Sequence, residues 1–330
     1  MKQKLLLFGL MLLFIISGCH KNMPEESATT LDQLQAKSDK PDDQGGDCRL
    51  ILDDRDGVYG HVYHYNSRGL VDLWKVDYHD GYPDVYTFTY DNFNHLKTGH
   101  ALFNSNGFST DIKYQYLGNK LAKETIYKSG TNTILNIIVT TYNAKGQVMR
   151  RGSTMHNEYC TFTYNTVGNN TQVNYFINDA LFMKEEFTFL QRNRNPLVSL
   201  NGMPFVVFTY DFIFSPWWET SDKFTIYDNG VPTVLVDYDP NSAIMQLGPH
   251  KYLTSVRNFD RVSQQNTIAI FQFENCGETD DDNQNTVSQK KASAPQKSRA
   301  AIIAKFKKTM LTGQFVNLED EIKKLKMELN

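Results

Sequence analysis

The chain has 330 residues and a formal net charge of −3, with 22% charged and 40% hydrophobic residues. This charge gives no general attraction to nucleic acid, so a nucleic-acid partner is not expected, and the composition is that of a globular protein. Aromatic residues make up 13% of the chain, with 18 Tyr and 21 Phe, and this abundance favours β-structure.

The N-terminus has the pattern of a signal peptide. Lys2 and Lys4 precede an uncharged apolar run over residues 5–16, which is shorter than the ~20 residues that a membrane-spanning helix needs. The segment Ile16-Ser17-Gly18-Cys19 follows directly and resembles the lipobox of bacterial lipoproteins. The resemblance implies that residues 1–18 are removed and that acyl chains on Cys19 anchor the protein in a membrane. An ordinary secretory signal with a chance cysteine is the alternative.

Residues 19–47 are polar and rich in Asp, Glu, Ser, Pro and Gly. Such a segment buries too little apolar surface to fold alone, so it is predicted to be a disordered tether with a reach of roughly 30 Å. No Asp follows Cys19 directly, and by resemblance to the bacterial sorting rule this favours the outer membrane. The expected location is the cell envelope, on either its periplasmic or its surface face.

An internal repeat follows the tether. In Tyr86-Thr87-Phe88-Thr89-Tyr90 aromatic residues alternate with Thr, which predicts a strand with one apolar and one polar face. Asn or Asp after the last tyrosine favours a turn, and an aliphatic residue then opens a return strand. Each unit is predicted to be a β-hairpin, and pairing between units buries a continuous aromatic face. A degenerate copy is expected at residues 224–231. The tyrosines that close the five clearer units, at a period of about 22 to 26 residues, are Tyr65, Tyr90, Tyr116, Tyr142 and Tyr164.

This pattern resembles the YD repeat of Rhs-type proteins and, more closely, the shorter repeat domains of lipoproteins of the Bacteroidetes. The resemblance covers residues 62–173 and, more loosely, the chain as far as Cys276; Tyr90-Asp91 and Tyr227-Asp228 keep the Tyr-Asp pair. It implies a mainly β fold over residues 48–276, with antiparallel hairpins in a long curled sheet, and it implies no catalytic residue. Five or six hairpins are too few to enclose a toxin, as complete Rhs proteins do.

Cys48 and Cys276 lie where polar segments meet this domain, and an oxidising compartment permits a disulfide between them. The bridge requires the first strand, residues 49–52, to pair with the last, residues 268–273, so that the two Cα atoms come within about 7 Å. In a strictly linear repeat the two cysteines are far apart and unpaired, which is the alternative. Cys160 is expected to be buried in a strand.

No metal-binding, nucleophile or phosphate-binding motif occurs in the sequence, so no catalytic residue, metal site or cofactor is predicted. Trp217 and Trp218 follow Pro216 and are candidate ligand-contact aromatics, because Trp is enriched in binding hot spots. A hydrophobic plug at the end of the sheet is the alternative role for this pair.

Residues 277–298 form a second polar linker, and residues 299–330 change to a helical period. In this predicted helical tail, Leu318, Ile322, Leu325 and Leu329 form a short apolar stripe. Three roles stay open for the tail, namely docking on the protein's own sheet, binding a partner helix and lying on an anionic membrane surface.

Together these features predict a lipid-anchored envelope or surface β-repeat protein, acting as a non-enzymatic binding module for a glycan or a protein partner. One alternative is a hydrolase of cell-surface polysaccharide, which needs a cleft with two carboxylates about 5 to 10 Å apart. Another alternative is a structural component of the envelope.

Overall fold

The computed structural model describes residues 48–55, 59–77, 81–104, 107–190, 193, 195–200, 215, 217–248, 252–276 and 327. Within these residues the protein is mainly β, with 17 antiparallel strands in one open, curled sheet. The strands are Arg49–Arg55 (β1), Tyr59–Tyr65 (β2), Val71–Asp77 (β3), Asp84–Tyr90 (β4), Leu96–Phe103 (β5), Phe108–Leu117 (β6), Lys120–Lys128 (β7), Ile134–Tyr142 (β8), Val148–Ser153 (β9), Glu158–Tyr164 (β10), Asn170–Ile177 (β11), Ala180–Thr188 (β12), Ser221–Asp228 (β13), Val231–Asp237 (β14), Ile244–Leu247 (β15), Leu253–Asp260 (β16) and Gln265–Glu274 (β17). A 3-10 turn spans Pro196–Ser199.

Neighbouring strands follow chain order from β1 to β14, and β1 also pairs with β17, which continues through β16 to β15. Arg49 lies opposite Glu274, so the expected pairing of the first strand with the last is confirmed. The curl brings Tyr238, just after β14, against Asp260 at the end of β16. Two edges of the open sheet therefore touch at one corner.

Most buried side chains lie on one face of the sheet, which we call the inner face. In β4, Tyr86 and Phe88 are buried whereas the intervening Thr87 is exposed, as the alternation predicts. The ring of Trp74 stacks on Tyr86 with centroids 4.2 Å apart, and Phe103 meets Tyr86 edge-on. Burial of this continuous face stabilises hairpins that would be marginal in isolation.

The turns of the five repeat units confirm the internal repeat. In every unit the pairing register shifts at the closing tyrosine. The third unit has a shorter turn, in which Leu117 pairs with Lys120. The other four share one turn, in which a side-chain oxygen accepts hydrogen bonds from the backbone N–H groups two and four positions later; the accepting residues are Asn66, Asp91, Asn143 and Asn165.

The segment 224–231 is not a further copy of this turn. Asp228 pairs directly with Val231 across a two-residue hairpin, and both Asn229 and Gly230 have positive φ. Positive φ at both turn residues is typical of the two-residue hairpin turn that Asn-Gly favours. This turn is shorter than the one that four of the repeat units share. The Tyr-Asp pair at this position therefore ends a strand of a different hairpin.

The closing tyrosines also join consecutive units. Four of their hydroxyls form hydrogen bonds with backbone groups near the start of the preceding strand. These pairs are Tyr65–Leu50, Tyr90–Val71, Tyr116–Leu96 and Tyr142–Leu121. The fifth differs, because the buried hydroxyl of Tyr164 has no hydrogen-bond partner in the described part of the chain.

Several predicted segments lie outside the described residues, namely residues 1–47 with Cys19, the linker 277–298, and the tail 299–330 apart from Met327. The helical tail is not supported by the structure. In the described part of the chain, no helix is both long and apolar enough to cross a membrane.

Candidate binding pocket

The strands end at two rims of the sheet. We call one the turn rim, because it carries the turns of the repeat units at residues 66–69, 91–95, 117–119, 143–147 and 165–169. The opposite hairpin rim includes loops 129–133, 154–157 and 178–179. Cys48 and Cys276 lie at the turn rim, because β1 begins beside the last residues of β2 and β17.

A small pocket of about 40 Å³ lies on the inner face near the hairpin rim. It is lined by the neighbouring strands β8, β9, β10 and β11. Its polar wall is formed by one or two side chains from each of these four strands. The polar lining residues are Asn136, Arg151, Ser153, Glu158, Tyr159 and Tyr175, and the thiol of Cys160 lies among them.

Strand register brings these residues together. Cys160 in β10 lies opposite Arg151 of β9 on one side and Tyr175 of β11 on the other. Gly152 allows β9 and β10 to approach closely, because a Cβ at this position would lie 2.4 Å from the Cβ of Tyr159. A larger residue at Gly152 would therefore force these two strands apart at the pocket.

The position of Arg151 is fixed by a buried ion pair. Its Nη1 lies 2.5 Å from Oε2 of Glu124, and both side chains are almost completely buried. Burial raises the pKa of the Glu124 carboxyl, while the neighbouring guanidinium lowers it. Loss of one partner would leave a charge in a low-dielectric interior, so the pair is costly to break.

Glu158 is the single carboxylate among the lining residues. It is half-buried, and burial raises the pKa of its carboxyl while His156 lowers it. No described residue forms a hydrogen bond or an ion pair with this carboxyl, so its oxygens remain available to a ligand. Beside it, the hydroxyl of Ser153 donates to Oδ1 of Asn136 at 2.6 Å, which fixes the amide at the pocket wall.

The two candidate tryptophans are not part of this pocket. Trp218 is 1% exposed, its ring meets Phe271 edge-on at 5.0 Å, and the guanidinium of Arg55 lies 5.0 Å above it. Both faces of the ring are therefore covered, and the ligand-contact interpretation does not hold for Trp218. With Leu197 it belongs to the aromatic core, as in the plug alternative. Trp217 is half-buried, and its ligand contact stays a prediction.

The structure joins Cys48 and Cys276 in a disulfide, with Cα atoms 4.3 Å apart, within the limit that a bridge requires. Cys160 is buried and forms no disulfide within the described residues. Among the described residues, no group of three or more His, Cys, Asp or Glu side chains could hold a metal ion.

No protein-family model matches the chain, and no curated protein matches its sequence. Among solved structures, the chain is similar to a porin-like protein from Bacteroides uniformis, with 12% identity and a TM-score of 0.42 over 68% of this chain and 96% of the other. A porin-like protein from Bacteroides vulgatus gives 11% identity and a TM-score of 0.32 over 67% and 97%. The TcdB2-TccC3-Cdc42 structure gives 11% identity and a TM-score of 0.24 over 68% and 15%. At these values none of the similarities assigns a function.

Proposed function

We propose that the protein is a lipid-anchored envelope protein whose β-repeat domain binds a glycan through the pocket on its inner face. The lining of the pocket carries the proposal, because it combines a fixed guanidinium and an amide with an available carboxylate. Charged and amide groups form hydrogen bonds with sugar hydroxyls. A volume of about 40 Å³ admits one small polar group of a ligand, so the rest of the glycan lies outside it.

The charges of the pocket specify the class of glycan. Arg151 is paired with Glu124, so Glu158 contributes the one uncompensated charge of the lining when its carboxyl is ionised. A negative site disfavours acidic sugars, since like charges in a partly buried site repel. The favoured ligand group is therefore a neutral hydroxyl cluster or the amino group of an amino sugar.

The lining favours binding over hydrolysis. Glycoside hydrolysis usually needs two carboxylates that flank the scissile bond, and one of them must be free to exchange a proton. Glu158 is the single carboxylate among the lining residues. Glu124 does not line the pocket and is paired with Arg151. This arrangement supports a binding module rather than a polysaccharide hydrolase.

The binding proposal is tested with the full chain carrying Cys19→Ala, on an array of neutral, amino and acidic glycans. We expect Glu158→Gln to weaken binding of the preferred glycan on the order of tenfold, because a charged hydrogen bond is lost. Glu186→Gln is the matched control, since that carboxylate pairs with Lys184 at 2.8 Å and does not line the pocket. Failure of the wild type to bind any neutral or amino glycan, or equal loss in both variants, would refute the pocket.

The lipid anchor rests on the sequence Ile16-Ser17-Gly18-Cys19 and is tested separately. We expect Cys19→Ala to release the protein from the membrane fraction or to leave a slower-migrating precursor. Detergent partitioning and electrophoretic mobility measure the two outcomes. A variant that is processed and fractionates with membranes as fully as wild type contradicts the anchor.

A further inference from the structure

The tips of the repeat turns form a row of exposed apolar and basic side chains along the turn rim. Phe93 and Leu117 lie on neighbouring turns, and each is 79% exposed. Val167 is also exposed, as are the basic side chains of Arg68 and Lys145. Large apolar side chains at this exposure gain free energy if another surface covers them.

These side chains are held in place by contacts between turns. Nη1 of Arg68 donates to the backbone carbonyl of Asp91 at 2.9 Å and to Oδ1 of Asn94 at 3.1 Å, which ties the first turn to the second. The ring of His95 stacks on Tyr116 with centroids 4.5 Å apart, which ties the second turn to the third unit. The contacts between turns therefore position this row before any partner binds.

The charge of the row suits an anionic surface. In the turns 66–69, 91–94, 117–119, 143–146 and 165–168, the cations are Arg68 and Lys145 and the one carboxylate is Asp91. Oδ1 of Asp91 accepts backbone hydrogen bonds from Phe93 and His95, so this carboxylate is engaged within its own turn. The exposed ends of the turns are thus apolar, and they carry two cations against one carboxylate.

The chain enters and leaves the domain at this same rim. Cys48 precedes the first strand there and Cys276 follows the last, and the disulfide fixes the two positions together. Residues 19–47 connect this point to Cys19, which carries the acyl chains in the proposed function. The rim is accordingly the part of the described domain from which the anchored segment departs.

We propose that the turn rim docks on an anionic lipid surface, with Phe93 and Leu117 in the headgroup layer and Arg68 and Lys145 beside lipid phosphates. This inference rests on the lipid anchor of the proposed function. Aromatic and aliphatic side chains flanked by cations are the composition that binds such interfaces. Docking by this rim points the pocket, at the opposite rim, away from the membrane.

Docking of the turn rim is tested with the full chain carrying Cys19→Ala, so that no acyl chain contributes. The protein is sedimented with vesicles of phosphatidylcholine alone and of phosphatidylcholine mixed with phosphatidylglycerol. We expect binding to the mixed vesicles, a loss on the order of tenfold or more in Phe93→Ser/Leu117→Ser, and about a fivefold loss in Lys145→Gln at low salt. The control Met155→Ser/Val231→Ser removes exposed apolar side chains from the hairpin rim and should bind as wild type does.

Absence of wild-type binding to the mixed vesicles overturns docking of the turn rim. Undiminished binding of Phe93→Ser/Leu117→Ser also overturns it, because another part of the chain then makes the contact, and so does an equal loss in the control. The two proposals fail separately. Membrane fractionation of the lipidated chain reports on Cys19 alone, whereas vesicle binding of the unlipidated chain reports on the rim alone.

Discussion

At the scale of single residues, His61 shows how burial fixes a protonation state. Its Nδ1 lies 3.2 Å from Nε1 of Trp74, which donates to it, so Nδ1 carries no proton. Burial lowers the pKa of His61 to about 4, the charge of Asp53 raises it in part, and Arg55 lowers it again. The imidazole is therefore neutral in the folded protein at neutral pH.

This lowered pKa predicts a pH dependence of stability. An unfolded histidine has a pKa near 6.5, so below that pH His61 binds a proton in the unfolded chain but not in the folded chain. Stability should fall as pH decreases from about 6.5 to about 4, by about 2 kcal/mol near pH 5. Denaturant unfolding of wild type and His61→Gln at neutral pH and near pH 5 measures it. The same decrease in both proteins would contradict the prediction.

At the scale of elements, the repeat unit combines a local signal with a contact to the preceding unit. Asn143 forms its turn with its own neighbours, which makes that turn readable from sequence. The hydroxyl of Tyr142 instead donates to the carbonyl of Leu121 in the preceding unit at 2.8 Å. Burial raises the pKa of Tyr142 to about 12, so this hydroxyl keeps its proton and remains a donor at neutral pH.

The tyrosine contacts provide a matched pair of substitutions. Tyr142→Phe removes the bond to Leu121 and leaves a carbonyl without that donor, so it should lower the free energy of unfolding by about 1 kcal/mol. Tyr164→Phe removes a buried hydroxyl that has no partner among the described residues, so it should be neutral or stabilising. Chemical denaturation of both variants checks the difference. Equal destabilisation would show that these hydroxyls do not join the units.

The sequence predicted the hairpins of the repeat units from their turn signals, and the interpretation failed at residues 224–231, where a shorter hairpin forms. Asn66 and Asn165 are followed by Gly at the turn, so both hairpins were readable. The segment ending at Asp228 also has an acidic or amide residue after a tyrosine and a Gly in the turn, but Asp228 pairs with Val231 across a two-residue turn. Asn229-Gly230 is the signal of a two-residue hairpin turn, and the Tyr-Asp pair before it drew the interpretation to the repeat instead.

The pocket was not predicted, because its residues carry no motif. Glu124 and Arg151 lie on β7 and β9 and meet across β8, so their contact depends on two successive registers. The signal that could have found them is a charged residue at an inward position of an otherwise apolar strand face, as with Glu124 two residues before Ile126. Buried charges of this kind need a partner, which directs attention to Arg151.

At the scale of the whole molecule, the curl of the sheet makes the ends of the domain neighbours. β1 pairs with both β2 and β17, so the first strand lies in the interior of the sheet rather than at an edge. This placement leaves β1 without the exposed backbone groups of an edge strand. β1 is therefore fully paired only when the chain as far as Glu274, the end of β17, has joined the sheet.

The disulfide between Cys48 and Cys276 should stabilise this arrangement, because it links residues 228 positions apart in the chain. In the chain-entropy view, a cross-link over so long a loop restricts the unfolded state strongly, and Cys48→Ala/Cys276→Ala should lower the free energy of unfolding by about 2 to 5 kcal/mol. Non-reducing peptide mass spectrometry should find one cross-linked pair, with Cys160 alkylated after unfolding. Cys160→Ala is the control and should leave the cross-link intact. Alkylation of Cys48 and Cys276 without reductant would show that the ends of the domain are held by the β1–β17 pairing alone.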